Sequence, residues 1–87
     1  MVHLIVMTEG TGAELEIAEA LHKARSWRRI EKGVWLVATK VRASDYRDKL
    51  RVEVPGAKFL VAQLSGTWAS HDVGRISEWL KGHSDDF

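Results

Sequence analysis

Four short segments with strand-like patterns, separated by helix-forming segments and one tight turn, constrain the fold more than any other feature of this sequence. The first covers residues 2–8, and the second and third, residues 26–31 and 34–40, are joined by a tight Lys32-Gly33 turn. The fourth covers residues 58–64. Each has the length and bounding turn residues of a β-strand, so we predict four strands.

The connections between these strands carry signals for helices. Thr11 and Glu14 have the spacing of a capping box, and apolar residues then recur every three or four positions up to residue 24. Ser44 and Asp45 are good starters for a short second helix ending near residue 51. A third helix is predicted over residues 73–80, and we expect the tail from residue 82 to 87 to fray.

Strand, helix, strand, strand, helix, strand is the β-α-β-β-α-β order of the ferredoxin-like fold. We therefore predict one α+β domain over residues 1–87, with a four-stranded antiparallel sheet and an extra C-terminal helix. Residues 34–38 are apolar throughout, as in a central strand, whereas residues 26–31 carry charges like an edge strand. The fold leaves one sheet face for the terminal helix, a ligand or a partner, and for so short a chain we expect a homodimer.

Composition excludes several classes of function. The chain of 87 residues has no cysteine, which excludes disulfides, cysteine-bound zinc and thiol nucleophiles. Its longest apolar runs are far shorter than the roughly 20 residues of a membrane span, so we expect a cytoplasmic protein without a membrane partner. The glycine spacing fits no phosphate-binding loop and the histidine spacing fits no metal motif, so no nucleotide cofactor and no dedicated metal site are expected.

The net charge of +1 conceals a strong charge asymmetry along the sequence. Residues 25–58 contain ten basic and four acidic side chains, a net +6, whereas the remainder of the chain sums to −5. A basic segment with an aromatic residue can pair with phosphates and stack on bases. The candidate nucleic-acid-binding residues are Arg25, Trp27, Arg28, Arg29 and Lys32. The alternative is that these charges only protect an edge strand from aggregation.

Four tryptophans are many for a chain of this length. Trp35 and Trp79 lie in apolar strand and helix patterns, which favours the core. Trp27 and Trp68 have more polar neighbours, so we predict that they contact a second subunit or a ligand.

Four short motifs, occurring in a fixed order, carry a resemblance to a known protein family. They are Ser26-Trp27, Val34-Trp35-Leu36-Val37, Tyr46-Arg47-Asp48-Lys49-Leu50 and Leu64-Ser65-Gly66-Thr67-Trp68-Ala69. Over about residues 2–81 the chain resembles a family of small bacterial proteins often labelled SinR-like, which are related in fold to the CRISPR-associated Cas-two-like proteins. The resemblance implies a ferredoxin-like fold, homodimerisation through strands and kinship with proteins that bind or cut nucleic acid.

Catalytic candidates are few. In the Cas-two-like pattern an aspartate with a metal-binding and catalytic role follows the first strand, and Thr8 or Glu9 falls near that place here. Glu9 could hold Mg²⁺, or it could simply be a solvated turn residue. His71 and Asp72 are adjacent, so the carboxylate could orient the imidazole as a general base, or it could serve a loop or helix cap.

Three functions follow from these patterns. The first is a homodimeric nucleic-acid-associated protein with weak or no nuclease activity, binding RNA or DNA without a cofactor. The second is a structural or protein-interaction module without nucleic acid. The third is a metal-dependent endoribonuclease of toxin type, the one case in which Mg²⁺ would be needed.

Overall fold

The regular elements follow one another in the predicted order. The computed structural model describes residues 1–8, 14–24 and 26–87. Within them lie β1 (Val2–Met7), α1 (Glu14–Leu21), β2 (Ser26–Glu31), β3 (Val34–Ala38), α2 (Ala43–Glu53), β4 (Phe59–Leu64), α3 (Gly74–Gly82) and a 3₁₀ turn (Ser84–Asp86). The predicted α+β class is confirmed, whereas the predicted Thr11 cap lies outside the described residues.

The four strands form one antiparallel sheet in the order β2-β3-β1-β4. This is the strand order of a ferredoxin-like fold, and it confirms that β1 and β3 are central and that β2 and β4 are edges. Gly33 turns the β2–β3 hairpin with a φ of 78°, in the left-handed region that glycine enters without a steric penalty. Its carbonyl accepts a hydrogen bond of 2.7 Å from the Met7 N–H, which fixes the hairpin against β1.

Helices α1 and α2 cover one face of the sheet, here called the helix face. The main hydrophobic core lies between them and the central strands. Trp35 is fully buried at its centre, so the predicted core position of this tryptophan is confirmed. The other buried members of this cluster are Ile5, Ile17, Ala20, Leu21, Val37, Tyr46, Leu50 and Val54.

Helix α3 and the C-terminal tail cover part of the opposite face, here called the second face. Buried Val2, Leu36 and Leu80 form a smaller apolar cluster there. Trp79 is only half-buried, at the margin of this cluster and not within a core. The tail differs from the predicted frayed end, because residues 84–86 form a 3₁₀ turn and Phe87 packs against the same cluster. Burial of the Phe87 ring offsets part of the entropy lost on ordering the tail.

None of the helices in the described ranges combines the length and apolar character needed to cross a membrane.

Candidate nucleic-acid interface

Strand alternation divides the predicted basic set between the two faces of the sheet. Arg28 lies opposite Leu36, which belongs to the second-face cluster, whereas Arg29 lies opposite Trp35 of the main core. Successive side chains of a strand point to opposite faces, and opposite partners share a face. The Arg28 and Arg29 side chains therefore leave the sheet on opposite faces. Lys32 is exposed in the hairpin turn, and Arg25 lies outside the described residues.

The second face instead brings Arg28 to a residue that the sequence did not suggest. Arg28 and Arg75, at the start of α3, line a groove of about 340 Å³, here called the arginine groove. Both residues are exposed, and within the described part of the chain neither pairs with a carboxylate. The other lining residues are Arg29, Ile30, Val73, Gly74 and Ile76. No acidic residue lines this groove among the residues that the structure describes.

The two predicted interface tryptophans lie on different faces. Trp27 is half-buried against the main core, with its ring 4.8 Å from the imidazole ring of His22. Trp68 is half-buried against the second-face cluster. Each ring is therefore already packed within its own chain, and the two do not form a common surface.

The catalytic candidates are not brought together. His71 and Asp72 are both exposed between β4 and α3, and across the described ranges no hydrogen bond joins their side chains. Asp72 has a φ of 59°, a left-handed conformation that aspartate adopts in turns. The geometry therefore corresponds to the loop alternative for this pair. Glu9 lies outside the described residues.

A chain of hydrogen bonds that the sequence did not suggest fastens the tail to β2. Trp79 Nε1 donates to Ser26 Oγ at 3.1 Å, Ser26 Oγ lies 2.9 Å from His83 Nε2, and His83 Nδ1 lies 2.6 Å from Asp86 Oδ2. If Nδ1 carries the proton, it donates to the Asp86 carboxylate and Nε2 accepts from the serine hydroxyl. We call this chain the tail clasp.

Serine, histidine and aspartate occur in the tail clasp in the order of a nucleophilic triad. Two contacts favour a structural role. The Trp79 indole already donates to the serine oxygen, and its ring lies 4.2 Å from the His83 ring, so the indole packs against both groups. The clasp joins residues far apart in sequence, which explains why local patterns did not predict it.

The structural role of the tail clasp predicts that Ser26 is unreactive but stabilising. We expect Ser26→Ala to lower the free energy of unfolding by about 0.5–1.5 kcal/mol, because the part-buried Trp79 and His83 side chains each lose a hydrogen-bond partner. A fluorophosphonate probe should leave the wild-type serine unlabelled in intact-mass spectrometry. Stoichiometric labelling at Ser26 would instead identify a nucleophile.

Two polar side chains are buried below the helix face. His3 is fully buried, and its Nε2 lies 2.6 Å from the Val41 carbonyl oxygen, with which it forms a hydrogen bond. Tyr46 lies nearby, with ring centroids 6.0 Å apart. Burial, with a smaller contribution from the negative charge of Glu53, raises the pKa of Tyr46 to about 12.

The pKa of Tyr46 predicts a loss of stability at alkaline pH. Because this pKa is about 12 in the folded state and about 10 in the unfolded chain, the stabilising contribution is complete below pH 10 and is lost as the pH rises toward 12. The difference corresponds to about 2–3 kcal/mol. Urea unfolding from pH 9 to 12 should show this loss in the wild type and a smaller one in Tyr46→Phe. Equal losses in both proteins would contradict the assignment.

Comparison with protein-family models, curated proteins and solved structures finds no match for this chain. The fold and the arginine groove therefore rest on the geometry given above. The resemblance to SinR-like and Cas-two-like proteins stays a prediction. Among the described residues, no three His, Asp or Glu side chains come close enough together to hold a metal ion.

Proposed function

We propose that this protein is a homodimer that binds single-stranded RNA or DNA through the arginine groove, with weak or no nuclease activity. The observation that supports this function is the convergence of Arg28 from β2 and Arg75 from α3 on one groove, which has no acidic lining residue in the described part of the chain. Guanidinium groups bind phosphate oxygens in bidentate geometry and remain charged at any physiological pH.

The remainder of the groove suits a flexible strand. Ile30, Val73 and Ile76 give it apolar lining beside the arginines, against which bases can pack when the phosphates pair with Arg28 and Arg75. The α3 backbone begins at Gly74 in the same groove, and the amino-terminal end of a helix attracts negative charge. An unpaired strand can place its phosphates and bases on separate partners in this way.

Equilibrium binding tests the proposal directly. A fluorescein-labelled 12-nucleotide RNA, the same DNA sequence and a duplex would be titrated with the protein at low salt, with and without Mg²⁺ or Mn²⁺. We expect saturable binding of single strands with intact oligonucleotides recovered afterwards. Metal-dependent cleavage would support the endoribonuclease alternative, and absence of binding to any oligonucleotide would contradict the proposed function.

The homodimer is proposed from the edge strand β4. Its six residues carry no charge, and the Leu60 side chain is 59% exposed. The other edge strand, β2, carries Arg28, Arg29 and Glu31. Charged side chains prevent edge strands from pairing with other chains, so β4 is the edge suited to pair with a second copy.

Introducing charge on β4 should dissociate this dimer. We expect the wild type to sediment at twice its 9.8 kDa mass and Leu60→Lys combined with Gln63→Lys to sediment as a monomer. Val52→Lys is the control for added surface charge, because Val52 is an apolar residue 78% exposed on α2 and is not part of the β4 strand. A wild-type protein at the monomer mass would refute the proposed dimer.

The alternative of an interaction module without nucleic acid also has a structural basis. An apolar groove of about 390 Å³ remains on the second face between Trp68 and α3, with Leu4, Leu36 and Ile76 among its lining residues. This alternative predicts dimerisation through β4 together with no binding in the oligonucleotide titration.

A further inference from the structure

Lysines from three separate parts of the chain meet at a cavity on the side of α1 and α2, where β3 ends. We propose that this cavity, here called the lysine cavity, binds a small ligand that carries a phosphate group. It has a volume of about 330 Å³, within the range of small-molecule sites. Its polar lining residues are Lys23, Thr39, Lys40, Tyr46, Lys49 and Asp86.

The charges around the lysine cavity favour an anion. Within the described residues, Lys40 and Lys49 form no ion pair, and Lys23 lies 3.8 Å from Glu53 in a pair exposed on the lysine side, which stabilises little. The single carboxylate in the lining, Asp86, already binds His83 at 2.6 Å. Three lysines against one carboxylate give the cavity lining a net positive charge, which attracts an anion.

Two hydroxyl groups give the cavity neutral donors beside the lysines. Tyr46 is only 3% exposed and lines the cavity, and its phenol is protonated at neutral pH. Thr39 Oγ1 accepts a hydrogen bond of 3.1 Å from the Val41 N–H, so its own hydrogen is available to a ligand.

This set of donors selects phosphate chemistry. Ammonium and hydroxyl groups together match the oxygens of a phosphate monoester, which carries nearly two negative charges and accepts several hydrogen bonds. A metal cation is disfavoured, because the lysines repel it and the one carboxylate is already bonded. The ligand is either a free phosphate compound or the terminal phosphate of an oligonucleotide.

The lysine cavity is separate from the arginine groove. It is formed by the turn after α1, the end of β3 and the residues after it, α2 and the C-terminal 3₁₀ turn, whereas the groove lies between β2 and α3. Phosphate binding here therefore does not depend on the nucleic-acid function proposed above, and either proposal can fail alone.

Isothermal titration calorimetry in phosphate-free buffer tests the inference. Inorganic phosphate and a ribonucleoside 5′-monophosphate are the free ligands, and a 5′-phosphorylated oligonucleotide is compared with its 5′-hydroxyl form to identify the second source. Wild-type protein should bind at least one phosphate probe saturably at one site per chain. Lack of saturable binding by every phosphate probe would overturn the inference.

Variants locate the binding in the cavity. Lys40→Met combined with Lys49→Met should weaken the affinity at least roughly tenfold, and Tyr46→Phe should weaken it several-fold through the lost hydroxyl. Lys58→Met combined with Lys81→Met removes two exposed lysines outside the cavity and should leave the affinity unchanged. Far-UV circular dichroism checks that each variant is folded, and amide shifts of Thr39 and Lys40 on phosphate addition report the site without any substitution. The inference would also be overturned if the two double variants bound phosphate with equal affinity. Amide shifts confined to residues outside the lysine cavity would overturn it as well.

Discussion

Replacing Trp35 by alanine is expected to remove about 3–5 kcal/mol of unfolding free energy. A domain of this length has about 4–13 kcal/mol in total, so the variant should lose a large fraction of its stability. The physical reason is that Trp35 is fully buried in the middle of the main core, where β3 faces α1 and α2, and the surrounding residues fill only part of the cavity left behind. Urea unfolding followed by far-UV circular dichroism measures this loss.

The control for this variant is Trp35→Phe. The indole Nε1 is buried and has no hydrogen-bond partner among the described residues, so phenylalanine removes an unpaired donor while it keeps most of the apolar volume. We expect Trp35→Phe to lose much less stability than Trp35→Ala. Equal losses would show that volume at this position does not determine the stability of the core.

Reversing the charges of Arg28 and Arg75 in the arginine groove is expected to cause a large loss of oligonucleotide affinity. Arg28→Glu combined with Arg75→Glu should weaken binding of a single-stranded oligonucleotide roughly a hundredfold at low salt, because two phosphate partners become repulsive. Both side chains are exposed, so the free energy of unfolding should change little. Fluorescence anisotropy measures the affinity, and a thermal melt checks the fold.

The matched control reverses two arginines of α2. Arg47 and Arg51 are exposed and each lies within 4 Å of an Asp48 oxygen, at 2.9 and 3.7 Å. Arg47→Glu combined with Arg51→Glu makes the same change in net charge away from the groove. If both double variants lose affinity equally, net charge and not the arginine groove controls the binding.

The sequence predicted the fold because its strand signals are local. Residues 34–38 are apolar at every position while residues 26–31 carry charges, and this contrast alone distinguishes a central strand from an edge strand. Gly33 in the turn then sets the hairpin. Burial of Trp35 follows from the same central strand.

The site was less predictable because it depends on contacts between distant residues. Arg75 meets Arg28 only after α3 folds across the second face, and the Ser26–His83 bond joins positions 57 residues apart. The alternation of side chains along β2 could have separated Arg28 from Arg29 in advance. The prediction of a frayed tail was wrong because Phe87 packs against the second-face cluster of Val2, Leu36 and Leu80. These residues come from distant parts of the chain, so local periodicity does not indicate the contact.

The salt dependence of oligonucleotide binding tests the central claim most directly. Anisotropy titrations of the labelled 12-nucleotide RNA at several salt concentrations would compare the wild type with Arg28→Gln combined with Arg75→Gln. If both arginines contact phosphates, the slope of log K against log salt should become shallower by about 1.4, since each contact to a single strand contributes about 0.7. Identical slopes in the two proteins, or no binding by the wild type at low salt, would contradict the proposed role of the arginine groove.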